Sequence, residues 1–246
     1  MSMNICALIP FYNHPDTIGY VVNRLSAFNL HIIIVDDGSD ERSKLSLKPL
    51  LSLPNVTVVT REINGGKGAA VIAGMREALN RGYVYALQVD ADGQHDLEKI
   101  PELLKLSNQY PGRIISGMPV YDDSVPTNRK LWRYATHILV WIHTLSFEIR
   151  DSMCGFRIYP LEKTLNVINS INNFGQRMDF DIEILVRSFW ADLHIVQLPV
   201  SVRYPIDGVS HFQLFNDNFL IAKLHIRLFF GMLLNSPKLL LRRVMS

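Results

Sequence analysis

Four short apolar runs set the limits on what this chain can fold into. They are Ile5 to Ile9, His31 to Val35, Val56 to Thr60 and Tyr83 to Val89. Each is too short for a helix and rich in β-capable side chains, and helical stretches separate them. One helix is capped at Asp16 or Thr17 and runs to about Phe28; another follows Asn64-Gly65-Gly66-Lys67 and continues to about Asn80. Strands alternating with helices in this way predict an α/β domain with a mostly parallel sheet and helices on both faces. Loops leaving the carboxyl ends of parallel strands gather on one rim, where such sheets bind ligands. Pro10–Asn13, Asp36–Asp40, Asn64–Lys67 and Asp90–Gln94 are those loops, so they are expected to meet in space.

The chemistry of these loops is specific only in combination. Asp90 and Asp92 stand two positions apart at a strand end, followed by Gly93, Gln94 and His95. Hard oxygen ligands there suit a divalent cation such as Mg2+ or Mn2+, whose shell substrate phosphates complete. Taken alone, the same residues fit a solvated turn. Asp36-Asp37-Gly38-Ser39-Asp40 can hydrogen-bond a ligand's amide edge or hydroxyls, or serve as a turn and helix cap. The glycines around Lys67 allow close backbone approach, and a helix amino-terminus beside a lysine favours an anion. The G-x-x-x-x-G-K-[ST] spacing of the nucleotide hydrolases is absent.

Downstream, Leu97–Ser107, Lys130–Leu145, Leu161–Asn169 and Asp181–Trp190 read as helices, and Arg113–Ser116 and Leu193–Val202 as strands. Gly117–Asn128 reads as a loop, and Tyr204–Phe212 as a polar loop that closes over a ligand or simply covers the surface. Asp151, in the dense stretch Ile149–Tyr159, is a candidate general base if the fold brings it to the rim; otherwise it is a cap. Gln176–Glu183 supplies three more acids. In the tail, Phe215, Phe219, Ala222, Ile226, Phe229 or Phe230, and Leu233 recur at helical spacing with Lys223 and Arg227 on another side. Beyond Ser236-Pro237, Lys238, Arg242 and Arg243 flank three leucines. Such helices fit an anionic membrane surface, core packing or a homodimer contact.

With 246 residues, one α/β domain over 1–212 is expected, followed by an amphipathic basic helical tail over 213–246. A net charge of +2 offers no case for nucleic-acid binding. Cys6 and Cys154 suggest neither zinc nor a disulfide framework. A start without a basic and then apolar leader, and no run near 18 uncharged apolar residues, point to a cytoplasmic protein, on the inner face of the membrane if the tail binds lipid.

Pro10-Phe11-Tyr12-Asn13, Val35-Asp36-Asp37-Gly38-Ser39, Asn64-Gly65-Gly66-Lys67-Gly68 and Asp90-Ala91-Asp92, in this order, resemble the inverting glycosyltransferases of family 2, which have the GT-A fold. Gln94-His95 and Asp151…Gly155-Phe156-Arg157 bring the chain nearest the dolichyl-phosphate mannose synthase-like, polyprenyl-phosphate branch. The resemblance implies a UDP- or GDP-sugar donor, a divalent metal, and transfer with inversion to a lipid-linked or hydrophobic acceptor. Pro10 and Tyr12 would line the nucleoside pocket, Asp37 and Asp36 would hold the base, and Lys67 would lie at the donor. Asp92 and Gln94 would ligate the metal, with Asp90 at the ribose or metal, and Asp151 matches the base-like carboxylate. Met118 stands where that branch has an arginine, leaving Arg129, Arg133 and Arg157 as candidate acceptor-phosphate clamps. A soluble acceptor, or a non-catalytic nucleotide-binding or scaffolding subunit, are the alternatives.

Overall fold

A computed structural model describes residues 3–120, 127–202 and 214–245. Seven strands form one sheet: β1 (Ile5–Phe11), β2 (His31–Asp37), β3 (Val56–Arg61), β4 (Tyr85–Gln88), β5 (Ile114–Val120), β6 (Arg157–Pro160) and β7 (Ile195–Ser201). Their order is β3-β2-β1-β4-β6-β5-β7. β6 runs antiparallel to both its neighbours, β4 and β5, and every other pairing is parallel. This is the GT-A arrangement.

The central strands read as unbroken apolar runs because both faces are covered. Cys6, Leu8, Ile33 and Val35 point to one core, with Val71 and Met75 of α3 (Lys67–Asn80) and Ile184 of α7 (Phe180–Trp190). Ala7, Ile9, Ile32 and Ile34 point to the other, with Val21, Val22 and Leu25 of α1 (Ile18–Ser26) and Leu103 of α4 (Ile100–Gln109). At Gly74 α3 lies so close to the sheet that an added Cβ would sit 2.0 Å from Leu8 Cδ1.

Several expectations need correction. β1 and β2 run two residues further than their apolar runs, so Asp36 and Asp37 end a strand rather than start a loop. α2 (Glu41–Leu47) was not evident in the sequence; Asp40 caps it, its side chain accepting from Ser43 N at 2.8 Å. Residues 117–120 continue β5 and pair with β7 instead of forming a loop. Residues 121–126 and the whole of the Tyr204–Phe212 loop lie outside the described residues. α5 (Thr127–Thr144) and α6 (Leu161–Asn169) fall where helices were expected.

The tail forms one helix, α8 (Leu214–Met245), not several. Pro237 removes an N–H that Leu233 O would have accepted, and Ser236 Oγ donates to that carbonyl instead, at 2.8 Å. The stretch Asn216–Arg242 also has the length and mean hydropathy, 1.3, to cross a membrane, contrary to the sequence expectation. Its inner face nonetheless packs on the domain along its length. Leu224, Leu228, Met232 and Leu239 are buried, and Asp217, Arg227 and Lys238 pair with Arg177, Glu183 and Asp192. The outer face exposes Phe219, Ile226, Phe230, Leu234 and Leu241.

Candidate active site

Because β6 is the one reversed strand, the segment entering it, from Asp151 to Phe156, arrives on the same rim as the loops leaving β1, β2 and β4. Gln88 at the end of β4 is level with Arg157 at the start of β6.

On the side of β1 and β2, Pro10 is buried within β1 and Tyr12 is half-buried just beyond it. Asn13 ties the two loops together: its N–H donates to Ser39 Oγ at 3.2 Å, and its Oδ1 accepts from Asp40 N at 2.9 Å. Asp37, almost fully buried, is saturated. It pairs with Arg61 and accepts from Gly65 N and Gly66 N, the latter at 2.7 Å. Gly66 adopts φ 98, a left-handed conformation that glycine tolerates, to present that N–H. Asp36 is different. Its Oδ1 accepts from Ser39 N at 3.0 Å, while its buried Oδ2 has no hydrogen-bond partner among the described residues.

At the centre, Asp90 is held from several sides. Lys67 Nζ lies 2.8 Å from its Oδ2, Gln88 Nε2 donates to its Oδ1 at 3.2 Å, and His95 Nε2 stands 3.3 Å away. Burial would raise the Asp90 carboxyl, but Lys67 and His95 outweigh it and hold the group well below the usual carboxylate range. Lys67 also contacts Asp181 Oδ2 at 3.0 Å. The lysine therefore grips two carboxylates of the protein. His95 is fixed by stacking on Phe156, ring centroids 5.0 Å apart.

Asp92 is the open group. Half-buried, it accepts only the N–H of Gln94 at 3.0 Å and carries no ion pair among the described residues. Gln94, half-buried on the same turn, offers a neutral oxygen. One ionised carboxylate plus one amide oxygen fits a Mg2+ or Mn2+ ion, which takes one or two carboxylates and completes its shell with phosphates and water.

Across the rim, Asp151 is 2% exposed and fully engaged. Arg133 of α5 grips it with two bonds, Nε to Oδ2 at 2.9 Å and Nη2 to Oδ1 at 3.0 Å. Met153 N and Cys154 N donate to Oδ1 at 2.9 and 2.8 Å, and His137 Nε2 lies 3.4 Å from Oδ2. Burial would raise this carboxyl too, yet Arg133 and His137 depress it well below the usual range. Such a group is a weak base.

The three candidate arginines separate. Arg133 is at the rim beside Asp151, and the side chain of Arg129 lies outside the described residues. Arg157 is 0% exposed, so it cannot reach an acceptor phosphate at the surface. Its guanidinium donates to Ser116 Oγ, Tyr159 OH, Asp181 O and Ser152 O. Sequence reasoning missed Gln88, Tyr159, Asp181, Arg61 and His137 as members of the site. Gln88, a lone amide between Leu87 and Val89 in a buried strand, carried the clearest signal.

With this geometry in view, comparison with known proteins is informative. The family model described as "Glycosyl transferase family 2" matches residues 6–184. The undecaprenyl-phosphate mannosyltransferase of Micrococcus luteus is 28% identical over 205 residues, covering 81% of this chain and 83% of that protein. The dolichyl-phosphate beta-glucosyltransferase of Dictyostelium discoideum is 30% identical over 225 residues, covering 86% and 66%. Among solved structures, glucosyl-3-phosphoglycerate synthase from Mycobacterium tuberculosis, in complex with Mn2+, UDP and phosphoglyceric acid, superposes with a TM-score of 0.68. It shares 17% identity over 93% of this chain and 78% of that one. The chain belongs to glycosyl transferase family 2 and is a glycosyltransferase.

Proposed function

We propose that this protein transfers a sugar, with inversion, from a UDP- or GDP-sugar to a lipid-linked phosphate at a membrane surface. The observation that carries the acceptor assignment is the state of Asp151. Its carboxylate already accepts from Arg133, Met153 N and Cys154 N, so it is poorly placed to take a proton from a hydroxyl. A phosphate acceptor needs no such base, because it is an anion at neutral pH. The relatives named for undecaprenyl-phosphate and dolichyl-phosphate transfer support the same class.

In this reading the nucleoside lies over Pro10 and Tyr12, and Asp36 Oδ2, unpartnered among the described residues, accepts from the base. Asp37 acts indirectly, holding Gly65 and Gly66 so that their loop fits the donor. Asp92, with Gln94, would hold a Mg2+ or Mn2+ ion, which when bound neutralises charge on the leaving nucleoside diphosphate. Arg133 orients the acceptor phosphate, whose oxygen displaces the diphosphate at the anomeric carbon. Asp151 in turn orients Arg133.

α8 supports the membrane part. Phe219, Ile226, Phe230, Leu234 and Leu241 form an exposed apolar stripe, and Ile138 and Ile142 of α5 are exposed as well. A helix pinned by Asp217, Arg227 and Lys238 along its inner face lies in the membrane plane rather than crossing it. A soluble phosphorylated acceptor would satisfy Arg133 equally, but it leaves this stripe unexplained.

The test uses UDP- and GDP-sugars, Mn2+ and a polyprenyl phosphate in anionic vesicles. Transfer to the vesicle lipid is expected, with loss of both vesicle binding and transfer in Phe230→Glu/Leu234→Glu. Transfer only to soluble acceptors, or activity unchanged in Asp92→Ala, would overturn the reading.

A further inference from the structure

Beneath the rim, six polar side chains close a ring. Lys67 Nζ meets Asp90 Oδ2 at 2.8 Å, and Asp90 Oδ1 accepts from Gln88 Nε2 at 3.2 Å. Gln88 Oε1 accepts from Tyr159 OH at 3.3 Å, and Tyr159 OH accepts from Arg157 Nη1 at 3.3 Å. Arg157 Nη1 lies 3.6 Å from Asp181 Oδ1, and Asp181 Oδ2 returns to Lys67 Nζ at 3.0 Å. Gln88, Tyr159 and Arg157 are fully buried, and Asp181 is 4% exposed. The ring draws on β4, β6, α3 and α7, so it joins the elements that carry the rim. Two cations and two anions cancel, leaving it neutral.

We propose that this ring is a positioning device that takes the charge of Asp90 out of play, so that the divalent ion is held by Asp92 and tightly only together with the nucleotide diphosphate. Lys67 and Asp181 are the positioning residues, and Arg157 anchors them. The inference rests on the donor reading above, and it assigns Lys67 away from the donor phosphates. The reason is electrostatic. If Asp90 and Asp92 were both free, two adjacent carboxylates would bind a hard cation in the absence of donor. With an ammonium 2.8 Å from Asp90, Asp92 is left as the carboxylate of this pair with no counter-ion among the described residues, and phosphate oxygens must supply the rest. Metal and donor then arrive as a unit and leave as one. The neutral ring also explains how an arginine can be fully buried in a four-residue strand, since an unpaired charge there would be strongly destabilising.

The proposal predicts an effect opposite in sign to ordinary structural damage. Removing the ammonium should free Asp90 for the metal. Mn2+ binding is measured by electron paramagnetic resonance on the full-length protein without nucleotide. Lys67→Gln is expected to bind Mn2+ about tenfold more tightly than wild type, the scale on which outer-shell partners tune a metal site. The double variant Lys67→Gln/Asp90→Asn should lose that gain. Lys67→Gln with wild-type thermal stability and unchanged or weaker Mn2+ affinity would overturn the proposal. Wild-type protein gives a check that needs no variant: its Mn2+ affinity should rise at least about tenfold when UDP or GDP is added. Equally tight Mn2+ binding with and without nucleotide, with nucleotide binding itself seen by calorimetry, would refute it. If neither UDP nor GDP binds while Lys67→Gln still tightens Mn2+, the ring's role stands and the donor reading fails.

Discussion

His143 of α5 and His225 of α8 form a buried pair, Nε2 to Nδ1 at 3.0 Å, with rings stacked 5.3 Å apart. Burial lowers both from their ordinary 6.5 to about 4, and for His143 the neighbouring imidazole adds to the effect. The folded pair is therefore neutral where the unfolded chain takes up protons. A depressed base of this kind contributes stability that is fully present above pH 6.5 and is lost as pH falls toward 4. Between pH 7 and pH 5 the two protonation ratios give about 2 kcal/mol per histidine, or roughly 3–4 kcal/mol for the pair. For a chain of this size that lowers Tm by about 6–16 °C. Most carboxylates titrate below this window, so it isolates the histidines. Differential scanning calorimetry at pH 7, 6 and 5 measures the slope. The double variant His143→Phe/His225→Leu keeps the bond from Trp190 Nε1 to the His143 carbonyl, because that bond uses the backbone. It should lose at least half of the pH dependence. A wild-type Tm flat within about 2 °C, or an equal slope in the double variant, refutes the reasoning.

Other outcomes follow from the same geometry. Arg133→Met strands the buried Asp151 charge and should cost about 3–5 kcal/mol, most of it recovered in Arg133→Met/Asp151→Asn, as chemical denaturation of the set would show. Because Asp151 is held far below its ordinary value, kcat should show no acid limb from this group between pH 5 and 8; a limb there that vanishes in Asp151→Asn would restore it as a base. Asp92→Asn, at a half-buried carboxylate with no ion pair among the described residues, should leave Tm within about 1–2 °C while lowering kcat by about a hundredfold or more. Gly74→Ala should cost about 1–3 kcal/mol, since the new methyl meets Leu8 Cδ1, and Leu8→Ala should relieve part of that strain in the double variant.

The parallel half of the sheet was legible because its strands are buried on both faces and their apolar runs need no partner to be recognised. β6 was not. A strand that opens with arginine reads as a polar segment, and its burial is tolerable because Ser116 and Asp181, 41 and 24 residues away, join the nearby Ser152 and Tyr159 around the guanidinium. The same distance in sequence hid the true work of Asp37. Its acid-acid-glycine motif suggests a ligand contact, while its actual partners, Arg61, Gly65 and Gly66, lie 24 to 29 residues further on. Asp40 behaved locally and so was readable as a cap.

Motif acids at one rim thus divide by what already neutralises them. Asp37 is held by Arg61, Asp90 by Lys67 and Asp151 by Arg133. Among the described residues, Asp36 keeps one unpartnered buried oxygen and Asp92 has no ion pair. A buried oxygen without a partner is a hydrogen-bond acceptor waiting for a donor such as a nucleobase N–H, because leaving it unpaired is costly. A half-buried carboxylate with no ion pair among the described residues has less of that debt and suits a cation that comes and goes with its phosphates. Sequence spacing alone makes these five aspartates look alike; their counter-ions, supplied by Arg61, Lys67 and Arg133 from other elements, are what give them different chemistry.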